Sequence, residues 1–154
     1  MTAMLKEDFS PPNLDLDRNF AFQMASIIFR LEQDLRDSSL RQLDITYMHF
    51  RVLQYLLDED GKKIGEIAKA IVARPPVLSR VIDQMEQRKL VRRNPDANDS
   101  RLTRVYLTQE GRDKYAQAWP AAHKIIHYAL EALTPEEQES FSECLRKIGD
   151  HVCR

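Results

Sequence analysis

Residues 62–111 confine this chain to very few folds, because two short amphipathic helices are followed at once by a basic hairpin. Ile64, Ile67, Ala68 and Ile71 recur at three and four residues, which puts them on one face of a short helix. A tight turn at Val72-Ala73-Arg74 leads into a second helix opened by Pro75-Pro76, with Leu78, Val81, Ile82 and Met85 as its buried stripe. Proline is tolerated at a helix start because the amides it removes have no partner inside the helix. The opposite face carries Pro76, Ser79, Arg80, Asp83 and Gln87. Directly afterwards come a basic strand over 90–94, a polar loop over 95–100 and a returning strand over 101–107.

Helix, turn, helix and hairpin in that order describe a winged helix-turn-helix. In five of its pieces the run also resembles the MarR family of bacterial transcription regulators. They are Ile67-Ala68 in the supporting helix, Leu78-Ser79-Arg80-Val81-Ile82-Asp83 in the recognition helix, Lys89-Leu90-Val91-Arg92-Arg93 entering the wing, Asp99-Ser100-Arg101 at its tip and Leu107-Thr108-Gln109-Glu110-Gly111 leaving it. Ile45-Thr46 through Val52-Leu53 is similar to the opening of the family's second helix. The resemblance extends over nearly all of the chain, the flanking helices matching in pattern and length only.

Length and composition fit that reading. A chain of 154 residues, 43% hydrophobic and 31% charged, is expected to fold as one domain with arms. No apolar run approaches the ~20 residues that span a bilayer, and residues 1–16 are acidic and proline-containing, unlike a signal peptide. The expectation is a cytoplasmic protein with no membrane partner. Cys144 and Cys153 lie nine residues apart on one predicted helix, about 13 Å along its axis. That is too far for a bridge within the helix, leaving free thiols or an intersubunit bridge.

A net charge of −1 conceals a strong asymmetry. Between Gly61 and Leu107 eleven Lys or Arg face five acids, a surplus of +6, and the remainder of the chain carries −7. A basic centre between acidic flanks suits double-stranded DNA, since phosphate neutralisation supplies most non-specific affinity.

The flanks read as helices. Phe20, Met24, Ile27, Leu31 and Leu35 give a near-heptad seam over 17–42, and Phe22, Ile28 and Phe29 add a second apolar ridge, more than one neighbour covers. Thr46 is placed to cap a second helix ending near Asp58, with Phe50, Leu53, Leu56 and Leu57 inward, and Lys62-Lys63-Ile64 can add a third strand to the wing. Thr108 caps a long helix with Tyr115, Trp119, Ala122, Ile126 and Ala129 on its apolar face, and Pro120 predicts a kink within it. Thr134-Pro135-Glu136-Glu137 forms a capping box for a last helix bearing Phe141, Leu145, Ile148 and Val152. The expected fold is mainly α with a small β-wing. It comprises an N-terminal arm (1–16), a winged helix-turn-helix DNA-binding domain (44–108), and a helical dimerisation bundle built from 17–43 and 109–154.

DNA contact is expected from Arg74, Pro76, Ser79 and Arg80 on the recognition helix and from Arg101 and Arg104 on the wing. Arg80 suits a guanine edge or a phosphate, Ser79 either base or backbone, and Pro76 an apolar contact such as a thymine methyl. The alternative for Arg80 is a salt bridge to Asp83 or Glu86. The resemblance implies that Arg101 enters the minor groove, with Asp99 buttressing it, although the double proline departs from the small polar residues common in the family there. It also implies a homodimer with half-sites ~34 Å, about 10 bp, apart on a palindromic operator. Repression would be relieved by a small aromatic or phenolic acid held between bundle and DNA-binding lobe, where Phe20, Met24, Tyr47, His49 and Arg51 fall. Redox-sensing relatives carry a cysteine near the chain start, and this chain has none there. No cofactor and no metal are expected.

Two other readings share the fold. His123 and His127, four apart, with His49 or a cysteine, suit a zinc-sensing regulator, though zinc-sensing relatives place a second-helix ligand where this chain has Arg51. A winged-helix protein-interaction module is the other, and the basic centre opposes it. An enzyme is not expected, because no glycine-rich phosphate loop, nucleophile motif or paired acids are present.

Overall fold

The protein is seen in a computed structural model that describes residues 15–153, so the expected arm falls almost wholly outside the described residues. A single 3-10 turn, Leu16–Arg18, precedes helix α1, Phe20–Leu35. The helix begins later than the periodicity predicts because the Asn19 side chain accepts the Phe22 amide at 2.9 Å and fixes the first turn there. It also ends earlier, passing into a π-helical turn, Arg36–Leu40. Leu35 and Leu40 are both buried; five residues apart they would diverge by about 140° on an α-helix, and the wider turn brings both to the core.

Helix α2, Tyr47–Asp58, is capped by Thr46 as expected. Its buried arc centres on Leu53 and Leu56 and reaches Val52 and His49, which leaves Leu57, expected inward, 42% exposed at the rim. Strand β1, Lys62–Lys63, leads into α3, Ile64–Ala70, and then α4, Pro75–Gln87, whose buried residues are Leu78, Ile82 and Met85. Strands β2, Val91–Pro95, and β3, Thr103–Leu107, form the wing. The sheet order is β1-β3-β2, antiparallel throughout, with Lys62 opposite Val105 and the wing paired from Val91 with Leu107 to Pro95 with Thr103.

Thr108 caps α5, Gln109–Leu130, which continues as one helix through Pro120. Tyr115 and Ala122 are buried, whereas Trp119, Ile126 and Ala129 of the expected stripe are exposed. Gly111 lies so close to the root of the wing that a Cβ there would stand 2.1 Å from the Leu90 carbonyl oxygen. Helix α6, Pro135–Val152, has the expected Thr134–Glu137 capping box and buries no residue. Among the described residues no helix is long and apolar enough to cross a membrane.

Three helix exits are built alike. Each reverses through a residue at positive φ: Asp44 at 54°, Val72 at 56° and Lys89 at 59°. In each, the following amide reaches back five residues, Ile45 to Leu40 at 3.0 Å, Ala73 to Ala68 at 2.9 Å and Leu90 to Met85 at 2.9 Å. An apolar pair bridged in this way closes a Schellman turn, whose reversing position normally holds glycine. Val72 is β-branched and 75% exposed, so it carries left-handed strain of about 1–2 kcal/mol with little packing to offset it. Val72→Asn should keep the turn and raise stability by about 1 kcal/mol, or about 2–4 °C in Tm. A thermal melt showing an unchanged or lower Tm would remove the case for strain at this residue.

Candidate nucleic-acid interface

Helix α4 is held from behind. Leu78, Ile82 and Met85 seat it in the core, and Arg93 of β2 clasps its acids, with Nη2 donating to Asp83 at 2.6 Å and Nη1 to Glu86 at 2.7 Å. The Arg93 amide donates to Glu86 as well, at 3.0 Å. Arg88 at the helix end pairs with Asp44 at 2.6 Å, tying it to the turn before α2. Both acids that could have drawn Arg80 along its own helix are therefore engaged elsewhere, and Arg80 is exposed with no bonded partner among the described residues. Arg74, Pro75 and Pro76 are exposed at the helix start, and Ser79 is half-buried beside them.

The wing is organised by a residue the sequence reading passed over. The buried Asp96 carboxylate accepts the amides of Asn98 at 2.9 Å and Asp99 at 3.2 Å and the Arg104 Nε. Those backbone amides and the guanidinium hold its pKa at about 2. Arg104 spends its other edge on the Gly61 carbonyl, with Nη1 donating at 2.7 Å. It thus ties the wing to β1, with its side chain 32% exposed. The available signal was the Pro95-Asp96-Ala97-Asn98 turn, in which an aspartate bonds the backbone two residues on. The expected contact between Asp99 and Arg101 is present: the Arg101 amide and guanidinium donate to Asp99 at 3.0–3.2 Å, which lowers the Asp99 pKa. The Arg101 side chain remains 88% exposed, and an ion pair so open to water holds it only weakly.

Behind this face lies a cleft of about 790 Å³ between α1, the π turn, the start of α2 and the exit of α3. Tyr47, Arg51, Arg36 and Arg41 line it with Ile28 and Val72. A second cleft, of about 620 Å³, opens on the other side of Arg51 against Tyr115 and Trp119. Of the five residues expected near an effector, Tyr47 and Arg51 line the larger cleft, whereas Phe20 and Met24 point to solvent on α1. His49 is buried beneath α4 instead. Its Nδ1 accepts the Thr46 amide at 3.3 Å, so the proton sits on Nε2, which faces Gln84 Oε1 at 3.4 Å. Arg51 Nη1 donates to the Ile71 carbonyl at 2.8 Å, joining the cleft wall to the turn before α4. His123 and His127 stack along α5 with ring centroids 6.0 Å apart, and His127 pairs with Glu131. Among the described residues no three His, Cys, Asp or Glu gather as a metal cluster. Cys144 and Cys153 are free and exposed.

Burial lowers the His49 pKa from its ordinary 6.5; the Gln84 bond opposes that shift and the Arg88 charge adds to it. A histidine depressed in the folded state binds its proton more readily when unfolded. The resulting stability is present above pH 6.5 and is lost as the pH falls towards the folded value. Urea midpoints should therefore fall between pH 7.5 and 5.5 more for the wild type than for His49→Gln. Equal falls would show that His49 is not the group responsible.

The comparisons agree with this geometry. A family model described as MarR family matches residues 43–102. The transcriptional regulator HosA of Escherichia coli O127:H6 is 34% identical over 105 residues, 68% of this chain and 78% of its own length. A MarR-family regulator from Silicibacter pomeroyi superposes with a TM-score of 0.81 at 30% identity, over 89% of this chain and 92% of its own. MepR of S. aureus, solved as a DNA complex, superposes with 0.77 at 26% identity, over 87% and 98%. With its three-stranded wing and its basic reading head, the chain belongs to the MarR family of DNA-binding transcriptional regulators.

Proposed function

We propose that this regulator is a homodimeric repressor, that it holds a palindromic operator through α4 and the wing, and that a small aromatic or phenolic acid releases it. The observation that carries the DNA reading is the unspent solvent face of α4: Arg93 engages Asp83 and Glu86, and Arg80 is left without a partner among the described residues. In this reading residues 44–108 are the DNA-binding domain, and 17–43 with 109–154 form the dimerisation bundle. Arg74, Pro76, Ser79 and Arg80 meet the major groove, Arg101 the minor groove, and Arg104 supports the wing.

The dimer reading is supported by apolar surface with no cover. Phe20, Ile27 and Phe29 on α1, Ile126 on α5 and Phe141, Leu145, Ile148 and Val152 on α6 are all exposed. Exposed apolar side chains in this number mark an interaction surface. A second copy presenting the same helices covers them with two-fold symmetry. The effector reading is supported by the larger cleft, where Tyr47 and Met48 lie beside Arg36, paired with Glu32, Arg41, paired with Asp37, and Arg51, bonded to the Ile71 carbonyl. A ligand that takes the protein fully from the DNA-binding to the released state must favour the latter by about 5.5 kcal/mol.

A footprint on the DNA upstream of the gene, at near-physiological salt with excess competitor, tests operator and symmetry together. A protected palindrome with half-sites about 10 bp apart is expected, and protection nowhere on that DNA would refute autoregulation. Arg80→Ala should weaken operator binding by about 1–3 kcal/mol while light scattering still finds a dimer; undiminished binding would remove α4 as the reading element. Leu145→Glu should yield folded monomers, and a persistent dimer would place the interface elsewhere.

A further inference from the structure

The tip of α4 offers few backbone donors. Pro75 and Pro76 have no amide hydrogen, and the amides of Val77 and Leu78 both donate to the Arg74 carbonyl at 3.0 Å. Of the four amides that a helix start leaves open, only that of Arg74 remains to hold a phosphate, where a helix N-terminus near DNA usually offers several. What the tip presents instead is carbon. Pro76 is exposed, Val77 is 43% exposed, and neither side chain has a polar atom. One helical turn further on, the same face presents Arg80, unengaged among the described residues.

Resting on the reading of α4 as the helix that enters the major groove, we infer that Pro76 and Val77 select a thymine by its 5-methyl group, while Arg80 selects a guanine close by. The thymine methyl is the one apolar feature of the major-groove edge, and the guanine O6 and N7 pair matches a guanidinium fork. Four residues advance about 6 Å along a helix, close to two base-pair steps of ~3.4 Å. Each half-site therefore carries the thymine within two or three base pairs of the guanine. Specificity at the thymine comes from burying a methyl group, and specificity at the guanine from hydrogen bonds.

The test begins with the full-length protein and a random duplex library, enriched at near-physiological salt. In the enriched site each thymine is then replaced by deoxyuridine, which lacks only the methyl group, and each guanine by 7-deazaguanine, which lacks the N7 acceptor. One thymine per half-site should lose about three- to fivefold in affinity as deoxyuridine, the worth of one buried methyl. The loss should be recovered with 5-bromodeoxyuridine, whose bromine fills the methyl volume; this arm uses only the wild-type protein. One guanine within three base pairs should lose about tenfold as the deaza base. The Pro76→Ala, Val77→Ala double variant should lose the deoxyuridine effect and keep the deaza effect, and Arg80→Ala should do the reverse. Indifference to every thymine methyl in the half-site, or a methyl effect that survives the double variant, overturns the inference while leaving DNA binding intact. A library with no enriched sequence overturns the DNA-reading role and the inference with it.

Discussion

Arg93 determines what the reading head can offer. The solvent side of α4 carries two acids, Asp83 and Glu86, close to Arg80 in sequence, and free carboxylates there would repel phosphate and capture the arginine. Both instead lie within 2.7 Å of the Arg93 guanidinium, which reaches them from the first strand of the wing. The wing is thus more than an appendage that meets a groove. Its root neutralises the helix it follows and joins the two elements through three hydrogen bonds.

A second chain of contacts joins that body to the cleft behind it. Arg51 lines both clefts and holds the carbonyl of Ile71, the last residue before the strained Val72. His49, two residues earlier on α2, faces Gln84 of α4. In the proposed mechanism an anion entering the larger cleft competes for the same guanidinium that steadies the exit of α3. The turn it would loosen already sits in a left-handed conformation that valine disfavours.

Much of this was legible in the sequence. The helix-turn-helix order, the third strand, the caps at Thr46, Thr108 and Thr134 and the basic centre follow from periodicity, capping chemistry and charge. The details that escaped share a cause, which is that the chain uses unusual residues for ordinary tasks. Its Schellman turns carry Asp, Val and Lys where glycine would have announced them; their surviving signature is an apolar pair five residues apart. A helix period of 3.6 could not anticipate the π turn that brings Leu35 and Leu40 together. Arg104 and Arg101 look alike in sequence, and only the buried Asp96 beside one of them separates the held guanidinium from the exposed one. His49 read as a ligand because a lone histidine among aromatics looks functional, yet one nitrogen caps α2 and the other meets Gln84.

The division of charge and of burial follows one line through the molecule. The core of α2 to α4 and the wing is completed within the chain by Leu35, Leu40, Tyr115 and Ala122, while α6 buries nothing and much of α1 lies open. Two copies joined along those open faces would therefore couple two finished reading heads without either head depending on the joint for its fold. The charges lie the same way, with +6 on the reading segment and −7 over the rest. A polyanion is turned away from the acidic helices and drawn to the basic segment, so long-range charge favours one orientation on DNA before any base is read. Within that orientation the choice of sequence falls to a few side chains, and at the tip of α4 most of those are carbon.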